Sequence, residues 1–143
     1  MIIEFIAKYL ISFLIAPIIL IGFLGQYKFS LKSLIALSIT TFIIILLKEV
    51  TNQPRPYIRL GRKSLMIDPP TDKSFPSGHT AASMTAAVSL FYFNPIIGTS
   101  LIIASIIVGI SRIMVHIHTW YDVFIGAIIG AVIAISVHSY LLG

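Results

Sequence analysis

Four stretches without Asp, Glu, Lys or Arg constrain this chain more than any other feature. Tyr9 to Tyr27, Ser33 to Leu47, Ser74 to Ser111 and Val123 to Gly143 carry none of these residues. Spanning a bilayer takes about 20 apolar residues, with a usable range of roughly 17 to 25. Ser74 to Ser111 is long enough for two spans. Asn94-Pro95 divides it, because Pro cannot continue a helix interior and Asn favours turns. The runs predict five spans, near 5–25, 31–50, 77–93, 96–116 and 121–141. Ser33 to Leu47 needs its flanks to reach across. The fold class is all-α, a polytopic membrane bundle of about five helices, read as one domain over 1–143.

The composition agrees. Of the 143 residues, 57% are hydrophobic and only 10% charged, against about 25% charged in a soluble domain. The first run lacks the basic start and A-x-A-like site of a cleaved signal peptide. There is no cysteine, which excludes disulfides and thiolate chemistry.

The formal charge is +5, and seven of the ten cations fall where one membrane face is expected: Lys48, Arg55, Arg59, Arg62, Lys63, Lys73 and Arg112. Lys28 and Lys32 fall on the other face. A positive-inside loop accounts for such a cluster equally well. Nucleic acid is a poor partner for a chain offering no soluble domain to dock it.

Following the hairpins brings three polar stretches to that face: "KEVTNQPRP", "PSGH" and "SRIMVHIHTWYD". Ser77, Gly78 and His79 open a helix, whose first-turn N–H groups suit a phosphate. Ser77 can cap, and Gly78 lets backbone approach an anion closely. Lys48, Arg55 and Arg112 suit phosphate oxygens, although each alone is equally a membrane anchor. His118 and Asp122 stand four apart, which on a helix shares one face. A carboxylate there fixes the imidazole tautomer, and the ring can then act as a nucleophile, although the spacing alone suits a surface His–Asp pair equally. His116 is expected to face elsewhere, and His138 to lie at the opposite interface.

Together these stretches resemble the type-2 phosphatidic acid phosphatase superfamily, whose motifs are K-x6-R-P, P-S-G-H and S-R-x5-H-x3-D. Here they read Lys48-EVTNQP-Arg55-Pro56, Pro76-Ser77-Gly78-His79 and Ser111-Arg112-IMVHI-His118-TWY-Asp122. The resemblance implies hydrolysis of phosphate esters or anhydrides without metal or cofactor. It implies His118 as the nucleophile forming a phosphohistidine, polarised by Asp122, and His79 as the general acid. Lys48, Arg55, Ser77, Gly78 and Arg112 become the phosphate clamp. Larger membrane members have six spans, one more than this chain.

With no ectodomain to grip a soluble substrate, a lipid-borne phosphate is the expected partner. A polyprenyl pyrophosphate, undecaprenyl pyrophosphate for instance, is favoured over phosphatidic acid or phosphatidylglycerol phosphate. The family's habit puts the site on the extracytoplasmic face of the cell membrane, whereas the Lys and Arg count puts it inside. A small transporter subunit would want ionisable groups at mid-membrane depth, and these lie at span ends. A metal or haem module built on His79, His116, His118 and His138 fails because His138 leaves the opposite end.

Overall fold

The computed structural model describes residues 2–61, 63–66, 69–71 and 73–140. Among these it has six helices and no strand: α1 Ile2–Phe23, α2 Tyr27–Thr51, α3 Pro56–Arg59, α4 Gly78–Phe93, α5 Pro95–Met114 and α6 Trp120–Tyr140. The five long helices fall on the five expected spans, and α3 is a short addition in the polar connection. Among the described residues, three helical stretches are long and apolar enough to cross a membrane: Tyr27–Arg59 (α2 with α3), Pro95–Met114 and Trp120–Tyr140. The stretch around Ser33–Leu47 does use its flanks, since α2 runs for 25 residues.

Asn94-Pro95 divides α4 from α5 as its chemistry dictates. Pro95 takes the first position of α5, where a missing N–H costs nothing. The Asn94 side chain accepts from the N–H groups of Ile96 (3.0 Å) and Ile97 (3.1 Å), satisfying two orphan donors of the new helix.

α4 is the centre of the bundle and packs against α1, α2, α5 and α6. Its 16 residues rise only about 24 Å, short of the roughly 30 Å hydrocarbon core. It does not need the length, because its neighbours shield it. Every residue from Thr80 to Leu90 except Ala82 is buried. Lipid is as apolar as leucine, so burial of grease contributes little to association here; close contact and hydroxyl pairs contribute instead. Thr85 Oγ1 pairs with Thr40 Oγ1 at 2.9 Å, and Ser83 Oγ with Ser105 Oγ at 2.9 Å. Gly126 and Gly130 form the small face of α6. A Cβ on Gly130 would stand 2.2 Å from Ala81 O, and one on Gly126 2.6 Å from Ser77 O. These glycines set how closely α6 approaches the helix that carries Ser77, Gly78 and His79.

α5 ends at Met114, two residues before the expected limit of 116. The chain there turns through Val115 into His116, which is left-handed at φ 62°. That turn bends residues 117 and 118 back under α5, and the N–H groups of both donate to Arg112 O at 3.3 Å.

Candidate active site

Lys48 lies in the last turn of α2, which closes on a left-handed Asn52. The chain then runs extended to Arg55, the residue before α3. A backbone bond stitches this segment to the entry of α4: Ser74 N–H donates to Gln53 O at 2.8 Å, and the Thr51 hydroxyl adds a bond to Phe75 O at 3.2 Å. Ser77 N–H donates to Asp122 O at 3.0 Å. The three polar stretches of the sequence are therefore joined by main chain before any side chain is considered.

Arg55 is 2% exposed and His118 3% exposed. Arg55 Nη1 donates to Ile117 O at 3.1 Å and contacts His118 Nε2 at 3.2 Å. Guanidinium only donates, so Nε2 accepts and the proton of a neutral ring sits on Nδ1. That nitrogen faces Asp122 Oδ2 at 3.4 Å. The ring is thus held in the one tautomer that leaves a lone pair on Nε2. Burial lowers the His118 pKa to about 4; Arg55 and Arg112 push the same way, and Asp122 only partly opposes them. At neutral pH the ring is uncharged.

The His118–Asp122 pair forms by a route the spacing did not suggest. The expected helical i,i+4 face does not exist, because α6 begins only at Trp120. Instead Thr119 caps α6 reciprocally with Asp122. Asp122 N–H donates to Thr119 Oγ1 (3.2 Å), and Thr119 N–H to Asp122 Oδ2 (2.9 Å), a capping box. His118 stands just before the box and is presented to the same carboxylate.

Ser77 differs from expectation too. It occupies the N-cap position of α4 but makes no side-chain cap bond. Its hydroxyl pairs with Thr80 Oγ1 at 2.9 Å. Among the described residues no side chain caps α4, so its first-turn N–H groups face the site uncapped. His79 is half-buried in that first turn, within electrostatic reach of Arg112, His118, Arg55 and Lys48. Lys48 and Gly78 line one cavity of about 250 Å³. Arg112 is 2% exposed. All eight residues singled out in the sequence therefore belong to one end of the bundle.

Lys73, by contrast, is paired at the surface with Glu49 at 2.5 Å. Arg62, Asp68 and Asp72 lie outside the described residues. His138 is at the far end of the bundle, stacked on Tyr92, as expected for the opposite interface.

Sequence reasoning missed Ser74. It is 2% exposed, and its hydroxyl donates to Asp122 Oδ2 at 2.5 Å and lies 3.5 Å from His118 Nδ1. Its only signal was position, two residues before Pro76.

The sequence model of the PAP2 superfamily matches residues 29–142. An undecaprenyl-diphosphatase of Sulfolobus acidocaldarius is 33% identical over 135 residues, covering 89% of this chain and 63% of that protein. The chain thus spans a little under two thirds of that relative's length. The crystal structure of Aquifex aeolicus LpxE superposes with a TM-score of 0.76 at 29% identity, over 96% of this chain and 82% of that one. A PAP2-type phosphatidylglycerolphosphate phosphatase from Bacillus subtilis shares the fold, with a TM-score of 0.70 at 24% identity over 96% and 72%. With three motifs gathered around one imidazole and the family match running through all of them, this chain belongs to the PAP2 superfamily.

Proposed function

We propose that this chain is a membrane lipid phosphatase that works through a phosphohistidine on His118. The observation that carries the reading is the Arg55–His118–Asp122 line: 3.2 Å to Nε2 on one side and 3.4 Å from Nδ1 on the other. It gives an uncharged imidazole a fixed tautomer and places a phosphate-binding cation beside the attacking lone pair.

In this reading the phosphate lies between Lys48, Arg55 and Arg112, against Ser77 and the first-turn N–H of Gly78. Nε2 attacks phosphorus and the bond to the leaving oxygen breaks. Asp122 stabilises the cationic ring that forms. His79 gives its proton to the leaving oxygen; the bound anion, set among the cations around His79, lets that ring carry the proton. Water then attacks phosphohistidine, gives its proton to His79 and releases phosphate. Each step uses only these protein groups and water. Asp122 already accepts from Ser74, Thr119 and His118, so the site offers few oxygen ligands for a divalent ion, and we infer hydrolysis without metal.

The substrate we favour is a polyprenyl pyrophosphate, on the likeness to the undecaprenyl-diphosphatase and the apolar helices that flank the site. The site would face the extracytoplasmic side of the cell membrane. Phosphate release by the purified protein in detergent tests this reading. The panel holds a polyprenyl pyrophosphate, phosphatidic acid and phosphatidylglycerol phosphate, each with and without chelator. Highest kcat/KM on the pyrophosphate, undiminished by chelator, is expected. Preference for a diacyl substrate overturns the substrate, and full loss on chelation with recovery on a divalent ion overturns the metal-free mechanism.

A further inference from the structure

The end of the bundle opposite the candidate active site carries a cavity that the phosphatase reading does not use. Its volume is about 620 Å³, and Lys28, Lys32, Phe29, Tyr92 and His138 line it. Lys28 and Lys32 stand four apart on α2, on one face, where two like charges mildly repel. Among the described residues no Asp or Glu lies beside them in sequence or lines the cavity. Asp and Glu occur only at positions 4, 49, 68, 72 and 122. Of these, Glu49 lies at the end of α2 and Asp122 at the start of α6, both at the other face.

The walls of the cavity are fixed. His138 stacks on Tyr92 with centroids 4.9 Å apart and planes at 18°, and stands 5.6 Å from Phe29. Its Nε2 meets Ser33 Oγ at 3.3 Å, and Tyr92 OH meets Ser139 Oγ at 3.0 Å.

A second feature adjoins the first. Tyr27 and Leu31 also line an apolar groove of about 450 Å³ that continues past Leu34 and Ile19 between α1 and α2, toward the middle of the bundle. A cationic cavity at a membrane end, with an apolar groove beside it that shares Tyr27 and Leu31, has the polarity of one phospholipid molecule. Lysines serving only as topological anchors would need neither the walled cavity nor the groove.

We propose that this cavity holds the anionic phosphodiester headgroup of a phospholipid from the leaflet opposite the active site, with an acyl chain in the adjoining groove. Phosphatidylglycerol is the probe, with zwitterionic phosphatidylcholine as its control. Neither is a phosphomonoester, so turnover at the active site does not consume them. Lipid retained by the purified protein is counted by native mass spectrometry. Each lysine near an anionic headgroup contributes about fivefold. The wild type should therefore retain phosphatidylglycerol over phosphatidylcholine. Lys28→Gln and Lys32→Gln should each lower that preference about fivefold and the pair about thirtyfold, with phosphate release unchanged. Excess inorganic phosphate should not displace the lipid. Equal retention of both lipids by the wild type, or unchanged preference in the variants, overturns the proposal. Displacement by inorganic phosphate overturns it as well, since the cavity would then hold a free anion and not a headgroup.

Discussion

Ser74 and Asp122 are joined by a hydrogen bond of 2.5 Å between residues 48 apart in sequence. Ser74 is anchored in turn by its own N–H on Gln53 O. One buried serine therefore ties the carboxylate behind the candidate nucleophile to the segment that carries Arg55. Its removal should act on catalysis more than on binding. A hydrogen bond to a charged group contributes about 1.5–3 kcal/mol, of which only part reaches the transition state. Ser74→Ala should lower kcat roughly tenfold with KM little changed, and Ser74→Thr should recover most of it. Equal losses in kcat for Ala and Thr would mean that the site tolerates no change there at all, and that the hydroxyl is not what matters.

The two site histidines should fail differently. His79→Ala removes only a proton donor. Activity on an alkyl phosphate should fall by about 10² to 10⁴, typical of general acid catalysis. On p-nitrophenyl phosphate, whose leaving group needs little protonation, the loss should be much smaller. Steady-state rates on the two substrates decide it; equal losses would remove His79 from the acid role.

The acid limb of kcat/KM should report His118, whose folded-state pKa is about 4. The ring attacks only when neutral, so activity should hold through the neutral range and fall as pH drops through about 4. Arg55 lowers this value and Asp122 raises it. Arg55→Gln should therefore move the limb to higher pH, and Asp122→Asn to lower pH, although both lower the maximum rate. A pH profile for each variant checks the signs, and limbs that do not move would assign the titration to another group.

Much of this was legible in the sequence because its signals are local and strong. Uncharged runs bounded by Lys, Arg and Asn94-Pro95 placed five helices. The site was legible because its motifs stand at the ends of those helices. What escaped depends on contacts distant in sequence or on cap geometry. Spacing does not distinguish a helical His118–Asp122 pair from a capping box with His118 outside it. Nothing in the sequence binds Ser74 to a residue 48 positions away. The turn at His116 that ends α5 early is a backbone choice with no pattern of its own. The length of α4 was legible from Ser77 and Asn94-Pro95; its burial by four neighbours is what no one-dimensional run records.

Orientation follows from where the connection between α3 and α4 lies. Lys63 is exposed there, whereas the neighbouring Ser64 is tied to Val115 O at 3.1 Å. In a chain without cysteine, Lys63→Cys is a single probe. An impermeant maleimide should label it in intact cells. Labelling only after lysis would put the active site inside, as the Lys and Arg count suggests.

The central claim is a covalent bond between phosphorus and His118 Nε2. The direct measurement is rapid quench of the protein with a ³²P-labelled lipid phosphate, followed by peptide mapping of label that survives base and is lost in acid. The account predicts labelled His118 in the wild type, more label in His79→Ala on a good leaving group because water attack is slowed, and none in His118→Ala. Label that persists in His118→Ala, or hydrolysis by that variant near the wild-type rate, would contradict it.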